Sequence, residues 1–314
     1  MADKSSIEWT DATWNFVDGC DQISPGCAHC YAKTFAARGL GHFAGGRPFE
    51  NVRMHEDTLM LPFRWRRPRR VFVVSMGDPF HHDVSDTLLD RAHAVMALAD
   101  GHIFQVLTKR DERMLAYYTA PDLRARIAYR LAEFAAAGYV TLERGAAVSQ
   151  SLTDLSGWPL TNVWVGVSVE NQRFADERIP RLLETPAAVR WISAEPLLER
   201  IDLDAYLYWA CRAPKQVHDA YACVETRGLD WVVVGGESGR GARPFHIEWA
   251  RSLRDQCREA GVAFFLKQLG AFPRFDRDEF DLFLRDRKGG DPAEWPEDLR
   301  VREYPRVEVL ASTT

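Results

Sequence analysis

Trp231-Val232-Val233-Val234-Gly235-Gly236-Glu237-Ser238-Gly239 is an apolar run that stops abruptly in glycine, carboxylate and hydroxyl. The run is continuous and does not alternate, which is how a strand covered on both faces of a parallel sheet reads. Five more runs share its form, at residues 71–74, 103–107, 163–167, 189–192 and 263–266. Each ends in small or polar residues: Ser75-Met76-Gly77-Asp78, Thr108-Lys109-Arg110, Ser168-Val169-Glu170-Asn171, Ser193-Ala194-Glu195 and Lys267-Gln268. In parallel α/β folds the carboxyl ends of the strands share one edge, and ligands bind there. Polar residues also end strands for no functional reason, but six such ends in one chain favour a site.

Helical stretches separate the runs. Residues 85–99 put Leu88, Ala92, Val95 and Ala99 on one face with Ser85 as N-cap. A second stretch after Pro121 carries Leu123, Ile127, Leu131 and Phe134, and a third, 247–260, stops at Gly261. The runs recur at about the 30 residues of one βα unit, with two longer steps that place insertions near 138–159 and 205–228. A further strand is expected at 13–17, before the first cysteines. The fold expected is α/β: an incomplete parallel (β/α) barrel of six or seven units over residues 1–270, related to the TIM barrel. A doubly wound open sheet is the rival. Residues 271–314 read as a charged C-terminal extension packed on the barrel.

With 46% hydrophobic and 27% charged residues among 314, the chain can bury a full core, which excludes wholesale disorder. A net charge of −5 argues against a generic basic nucleic-acid coat. No apolar run reaches the ~18 residues of a membrane span, and the first residues lack the apolar stretch of a secretory leader. A cytoplasmic protein is the expectation.

Six cysteines are distributed unevenly. Cys20, Cys27 and Cys30 form C-x6-C-x2-C in a Gly/Pro-containing loop, while Cys211, Cys223 and Cys257 are scattered. In a reducing compartment a tight cysteine group reads as metal-binding or redox-active. Three thiolates suit a [4Fe-4S] cluster with one iron left open; a structural zinc wants a fourth ligand, from His29, His42 or a distant cysteine. Inert buried thiols are the bland alternative. Cys257 falls on the apolar face of its helix and reads as core, and the spacing of Cys211 and Cys223 fits no standard zinc pattern.

A three-cysteine loop after the first strand of a partial (β/α) barrel resembles the radical S-adenosylmethionine (radical SAM) enzymes. More closely, the chain is similar to a phage-associated family with a three-cysteine motif. The likeness lies in Ile7-Glu8-Trp9-Thr10-Asp11, Ser24-Pro25-Gly26-Cys27-Ala28-His29-Cys30-Tyr31, Leu107-Thr108-Lys109-Arg110, Gly166-Val167-Ser168-Val169-Glu170-Asn171, Glu195-Pro196-Leu197-Leu198 and Val234-Gly235-Gly236-Glu237. The resemblance implies that Cys20, Cys27 and Cys30 hold the cluster and that SAM chelates the open iron. It places SAM contacts among Ser75, Asp78, Ser168, Glu170, Asn171, Gly235 and Gly236, and implies a flavodoxin- or ferredoxin-like electron donor. Two features depart from it. The usual spacing is C-x3-C-x2-C, and the usual Gly-Gly-Glu follows the second strand, where this chain has Ser75-Met76-Gly77-Asp78.

Glu195, Glu237 and Lys109 are the candidate catalytic groups, for proton transfer at the strand ends. Arg110 and Lys267 at that edge, with Arg66 and Arg67 from the run Arg64-Trp65-Arg66-Arg67-Pro68-Arg69-Arg70, are candidate contacts for a phosphate-containing nucleotide or nucleic-acid substrate. His81-His82-Asp83 invites a second metal reading, although adjacent side chains usually point apart. The expected function is therefore an iron–sulfur, radical SAM-like enzyme that generates a substrate radical, modifying or repairing a nucleic-acid-derived molecule. A zinc-stabilised barrel hydrolase or nuclease, and a non-catalytic nucleic-acid-binding protein, are the alternatives.

Overall fold

In the computed structural model, residues 5–208, 210–217, 220–226, 228–275 and 284–306 are described. Seven strands make one parallel sheet: β1 (Ala12–Trp14), β2 (Arg70–Val73), β3 (Ile103–Thr108), β4 (Val163–Ser168), β5 (Val189–Ala194), β6 (Trp231–Gly235) and β7 (Ala263–Gln268). Their order in the sheet is their order in the chain, from β1 at one end to β7 at the other. A doubly wound sheet reverses its order at a switch point; this one never does. The singly wound topology of an incomplete (β/α) barrel is what remains.

The chain divides into two compact units: Met1–Gly166 with Thr185–Ala188, and Val167–Glu184 with Val189–Thr314. In the first, β1 pairs with β2 and β2 with β3, all parallel. Its helices are α1 (Tyr31–Ala37), α2 (Asp86–Leu98), α3 (Asp111–Tyr118), α4 (Leu123–Ala136) and α5 (Leu142–Thr153). Ser85 caps α2 by accepting from the Leu88 N–H at 3.3 Å, and Leu123, Ile127, Leu131 and Phe134 form the buried stripe of α4. The expected insertion at 138–159 is mostly the helix α5. Trp14, Phe104, Val71 and Val73 are buried, so the strands are covered as their apolar composition requires.

In the second unit β5 pairs with β6 and β6 with β7, again parallel. Its helices are α6 (Gln172–Glu184), the short α7 (Asp204–Leu207) and α8 (Ile247–Ala260). Helix α8 stops at Gly261, whose φ of +69° is a left-handed cap that glycine adopts without strain. The second insertion contains an antiparallel hairpin of Ala210–Val217 with Ala220–Thr226; the side chains of Cys211 and Cys223 lie outside the described residues. Part of the expected C-terminal extension joins the sheet's neighbourhood. The Leu266 N–H donates to the Val301 carbonyl at 2.9 Å and the Glu303 N–H to the Phe264 carbonyl at 2.9 Å, an antiparallel bridge onto β7. Residues 276–283 and 307–314 of that extension lie outside the described residues. Among those described, no helix is long and apolar enough to cross a membrane.

Candidate functional site: the three-cysteine loop

The expected first strand at 13–17 is shorter, and the reason leads to the site. After Trp14 the chain bends out of the sheet: the Asn15 side chain accepts from the Ser75 N–H at 2.7 Å, and the Phe16 carbonyl accepts from the His55 N–H at 2.8 Å. Strand β2 likewise ends one residue early. Val74 has a φ of +59°, uncommon for a β-branched residue, and is buried with its N–H donating to the Trp14 carbonyl at 2.9 Å. Such a backbone costs on the order of 1–3 kcal/mol and collects at functional edges.

The cysteine loop leaves the carboxyl end of β1 and is tied to the loop after β2. Gly19 forms a bridge with Gly77, its N–H donating to the Met76 carbonyl at 3.0 Å. At φ +90° and with a Cβ position only 2.7 Å from the Phe49 carbonyl oxygen, residue 19 has room for glycine alone. The Cys20 N–H then donates to the Phe49 carbonyl at 3.0 Å. A single 3-10 turn, Pro25–Cys27, folds the loop back, and Cys30 is the N-cap residue of α1. Cys20, Cys27 and Cys30 are unpaired, half-buried thiols. Cys20 and Cys30, with Met76, pack against a small core of Ala32, Ala36, Phe43 and Phe49.

Two cations from the carboxyl end of β3 reach these sulfurs. The Lys109 Nζ lies 3.8 Å from the Cys27 Sγ and 3.5 Å from the Ser24 Oγ. The Arg110 guanidinium donates to the Cys20 Sγ at 3.4 Å, to Asp78 at 3.3 Å and to Asp21 at 2.5 Å. The two thiols consequently differ. Burial pushes the Cys20 thiol up to about 12, with Asp78 reinforcing it and Arg110 opposing it. At Cys27 burial also works upward, but the Lys109 ammonium and the hydrogen bonds of Ile23 and Ser24 outweigh it, and the thiol lies below its usual value.

The remaining residues singled out from the sequence fall into two groups. In the first unit Asp78 is buried and braced: its carboxylate accepts from the Thr108 hydroxyl at 2.6 Å, the Lys109 N–H at 3.0 Å and the Phe80 N–H at 2.9 Å. Ser75 gives its carbonyl to the exposed Tyr31 hydroxyl. Arg66 and Arg67 are exposed near the amino end of β2, while Trp65 is committed to the His102 ring, 5.6 Å between centroids. His81 and His82 do not point apart: their rings stack at 4.2 Å, and His81 hydrogen-bonds Asp21.

In the second unit Glu170 is fully buried and pairs with Arg178 at 3.2 Å; the same guanidinium donates to the Ser168 carbonyl at 2.7 Å. Asn171 turns its side chain back to accept from the Phe174 N–H at 3.0 Å. Glu195 pairs with Lys267 at 3.1 Å and lies over Gly235, filling the space a Cβ would need. The Gly236 carbonyl accepts from the Gln268 side chain at 2.8 Å, and Glu237 is held by Arg243 through Nε at 3.1 Å. Each of the three glutamates thus faces a cation of its own, and they form no set of carboxylates gathered within 4.8 Å.

Sequence reasoning did not assemble Asp18, His42 and His55, which meet beside the cysteine loop. No spacing rule links them; the fold alone does.

The chain is thus a parallel, singly wound α/β protein carrying a three-thiol loop at the carboxyl end of its first strand. Residues 4–294 match the family model described as "Protein of unknown function (DUF5131)", and the chain belongs to that family. No curated protein and no solved structure matches it.

Proposed function

We infer that the protein is an iron–sulfur enzyme of radical SAM type, acting on a phosphate-containing, nucleic-acid-derived substrate. One observation carries the reading: three unpaired thiols, from one loop at a strand's carboxyl edge, with Lys109 and Arg110 directed at two of them. The chemistry of the donor set fits the group: three thiols from one loop are the protein ligands that a [4Fe-4S] cluster takes when one iron is left without a protein ligand.

Cys20, Cys27 and Cys30 would hold the [4Fe-4S] cluster, which when bound supplies the one-electron chemistry that cleaves SAM, fed by a flavodoxin- or ferredoxin-like donor. The chain's own residues do the rest. The Lys109 and Arg110 cations lower the electrostatic cost of gathering thiolates, and Asp78 fixes both by binding the Lys109 N–H and the Arg110 guanidinium. The loop after β2, Ser75 to Asp78, is bonded to the cysteine loop through Gly19 and Tyr31, so ligand contacts from it sit beside the thiols. Exposed Arg66 and Arg67 supply a surface for phosphate outside this edge.

Iron and sulfide analysis after anaerobic reconstitution tests the ligand set. Cys20→Ala, Cys27→Ala and Cys30→Ala each lose the cluster, while Cys257→Ala, on the buried face of α8, retains it. Full iron in any of the first three overturns the assignment.

A further inference from the structure

We propose that Asp18, His42 and His55 form a binding site for a divalent first-row transition-metal ion, separate from the three cysteines and independent of the iron–sulfur reading. The Asp18 Oδ2 lies 2.9 Å from the His42 Nδ1 and 2.8 Å from the His55 Nε2, and the two ring nitrogens are 3.1 Å apart. Three ligand atoms in a near-equilateral triangle are poorly explained by hydrogen bonds. If both nitrogens carry protons toward the shared oxygen, those protons crowd each other across the third edge. If only one does, the other lone pair faces the carboxylate. A cation above the triangle satisfies all three lone pairs together.

The edge lengths select the geometry. Ligand atoms about 2.1 Å from an ion are about 3.0 Å apart on one face of an octahedron and about 3.4 Å apart around a tetrahedron. The observed 2.8, 2.9 and 3.1 Å match the octahedral face. Two histidines and one carboxylate on such a face leave the opposite positions for water or substrate.

The surroundings are those of a built site. Asp18 is 2% exposed, and its other carboxylate oxygen accepts from the buried Arg47 guanidinium, which sets the carboxylate's orientation. A two-residue antiparallel pair, Val17–Asp18 with Arg53–Met54, brings Asp18 opposite the segment that leads into His55. His42, on the 3-10 turn Gly41–Phe43, is the accessible member, its side chain 46% exposed, so an ion can enter from that side.

The placement gives the ion a task. Asp18 precedes Cys20 and His42 follows Cys30, so an ion held by both closes a loop that contains all three cysteines. Closing a loop removes conformational entropy from the less ordered states, and binding free energy then stabilises the local fold.

Mn(II) is the probe, because a hard ion is a poor match for thiolates. Reduced, chelator-stripped full-length protein is titrated and bound ion read from loss of the free Mn(II) electron paramagnetic resonance signal. One ion per chain is expected, both in the natural protein and in Cys20→Ser/Cys27→Ser/Cys30→Ser. His42→Ala, at a half-exposed position, and His55→Ala should each weaken binding at least tenfold. Hydrogen exchange across residues 18–42 should slow on Mn(II) addition in the natural protein and not in His42→Ala. Circular dichroism of each variant establishes that it is folded. Absence of Mn(II) binding by the natural protein, or undiminished binding by folded His42→Ala, overturns the proposal. Co(II) added to the triple serine variant should give the weak visible bands of a six-coordinate ion; intense four-coordinate bands would overturn the octahedral assignment.

Discussion

Replacing Lys109 by Gln isolates the electrostatics of the cysteine loop in one step. The ammonium lies 3.8 Å from the Cys27 sulfur, where its attraction for a thiolate works against burial. At that separation two unit charges attract by about 1 kcal/mol in a water-like dielectric and by about 4 kcal/mol at an effective constant of 20. Cys27 is half-buried, so the smaller figure is the safer floor. A loss of about 1 kcal/mol reduces the thiolate fraction at neutral pH by roughly fivefold. The assay is alkylation of metal-free, reduced protein over a pH series, with each cysteine quantified by peptide mass spectrometry. Cys27 in the natural protein should react faster than an ordinary thiol; in Lys109→Gln its rate at neutral pH should fall at least about fivefold, since thiolate is the reacting form. Cys20, pushed up to about 12, should stay slow in both proteins and serves as the internal control. An unchanged Cys27 profile would refute the argument that Lys109 tunes the loop.

Buried His93, between the Leu89 carbonyl and the Tyr118 hydroxyl, is held neutral, at about 4 against an ordinary 6.5. Its contribution is present above 6.5 and is lost as pH falls toward 4, about 3 kcal/mol in all; urea unfolding at pH 7 and pH 4 should show His93→Gln losing less stability on acidification than the natural protein. Gly236→Ala should lower the thermal midpoint more than Gly235→Ala, because a Cβ at 236 meets the Leu269 backbone whereas one at 235 meets the movable Glu195 carboxylate; equal midpoints would contradict this. If Arg66 and Arg67 contact phosphate, changing both to Gln should lower the log–log salt slope of single-stranded nucleic-acid binding by ~0.7 per lost contact, and an unchanged slope would make them solvated surface.

The sheet was legible because its strands are continuous apolar runs, and the runs at 103–107, 163–167 and 231–234 fall inside observed strands. Helix α8 was legible from its stripe and from Gly261. Helix α5 was not, because only Gly145 and Leu152 among its residues are buried, which leaves no apolar face to read. The first strand was misplaced by its end, where Asn15 leaves the sheet to bind Ser75, a tertiary contact that composition does not encode. At the site, the cysteine grouping was visible as spacing, and Lys109 and Arg110 as the polar end of a strand. The partners of the glutamates were less visible: Arg178 and Arg243 lie on following segments that carry no motif. Asp18 and His55 were hidden, and His42 was visible only as a possible fourth ligand for a zinc at the cysteines, since turns and a two-residue strand pair bring the three together.

Product analysis decides whether the three-cysteine loop supports SAM cleavage, as proposed. Anaerobically reconstituted protein with a verified four-iron cluster is reduced, mixed with SAM, quenched and chromatographed. 5′-Deoxyadenosine and methionine are expected in equal amounts, slowly and without added substrate, and none from Cys30→Ala. A reducible cluster that yields no 5′-deoxyadenosine above background, and whose electron paramagnetic resonance signal is unchanged by SAM, would contradict the proposal.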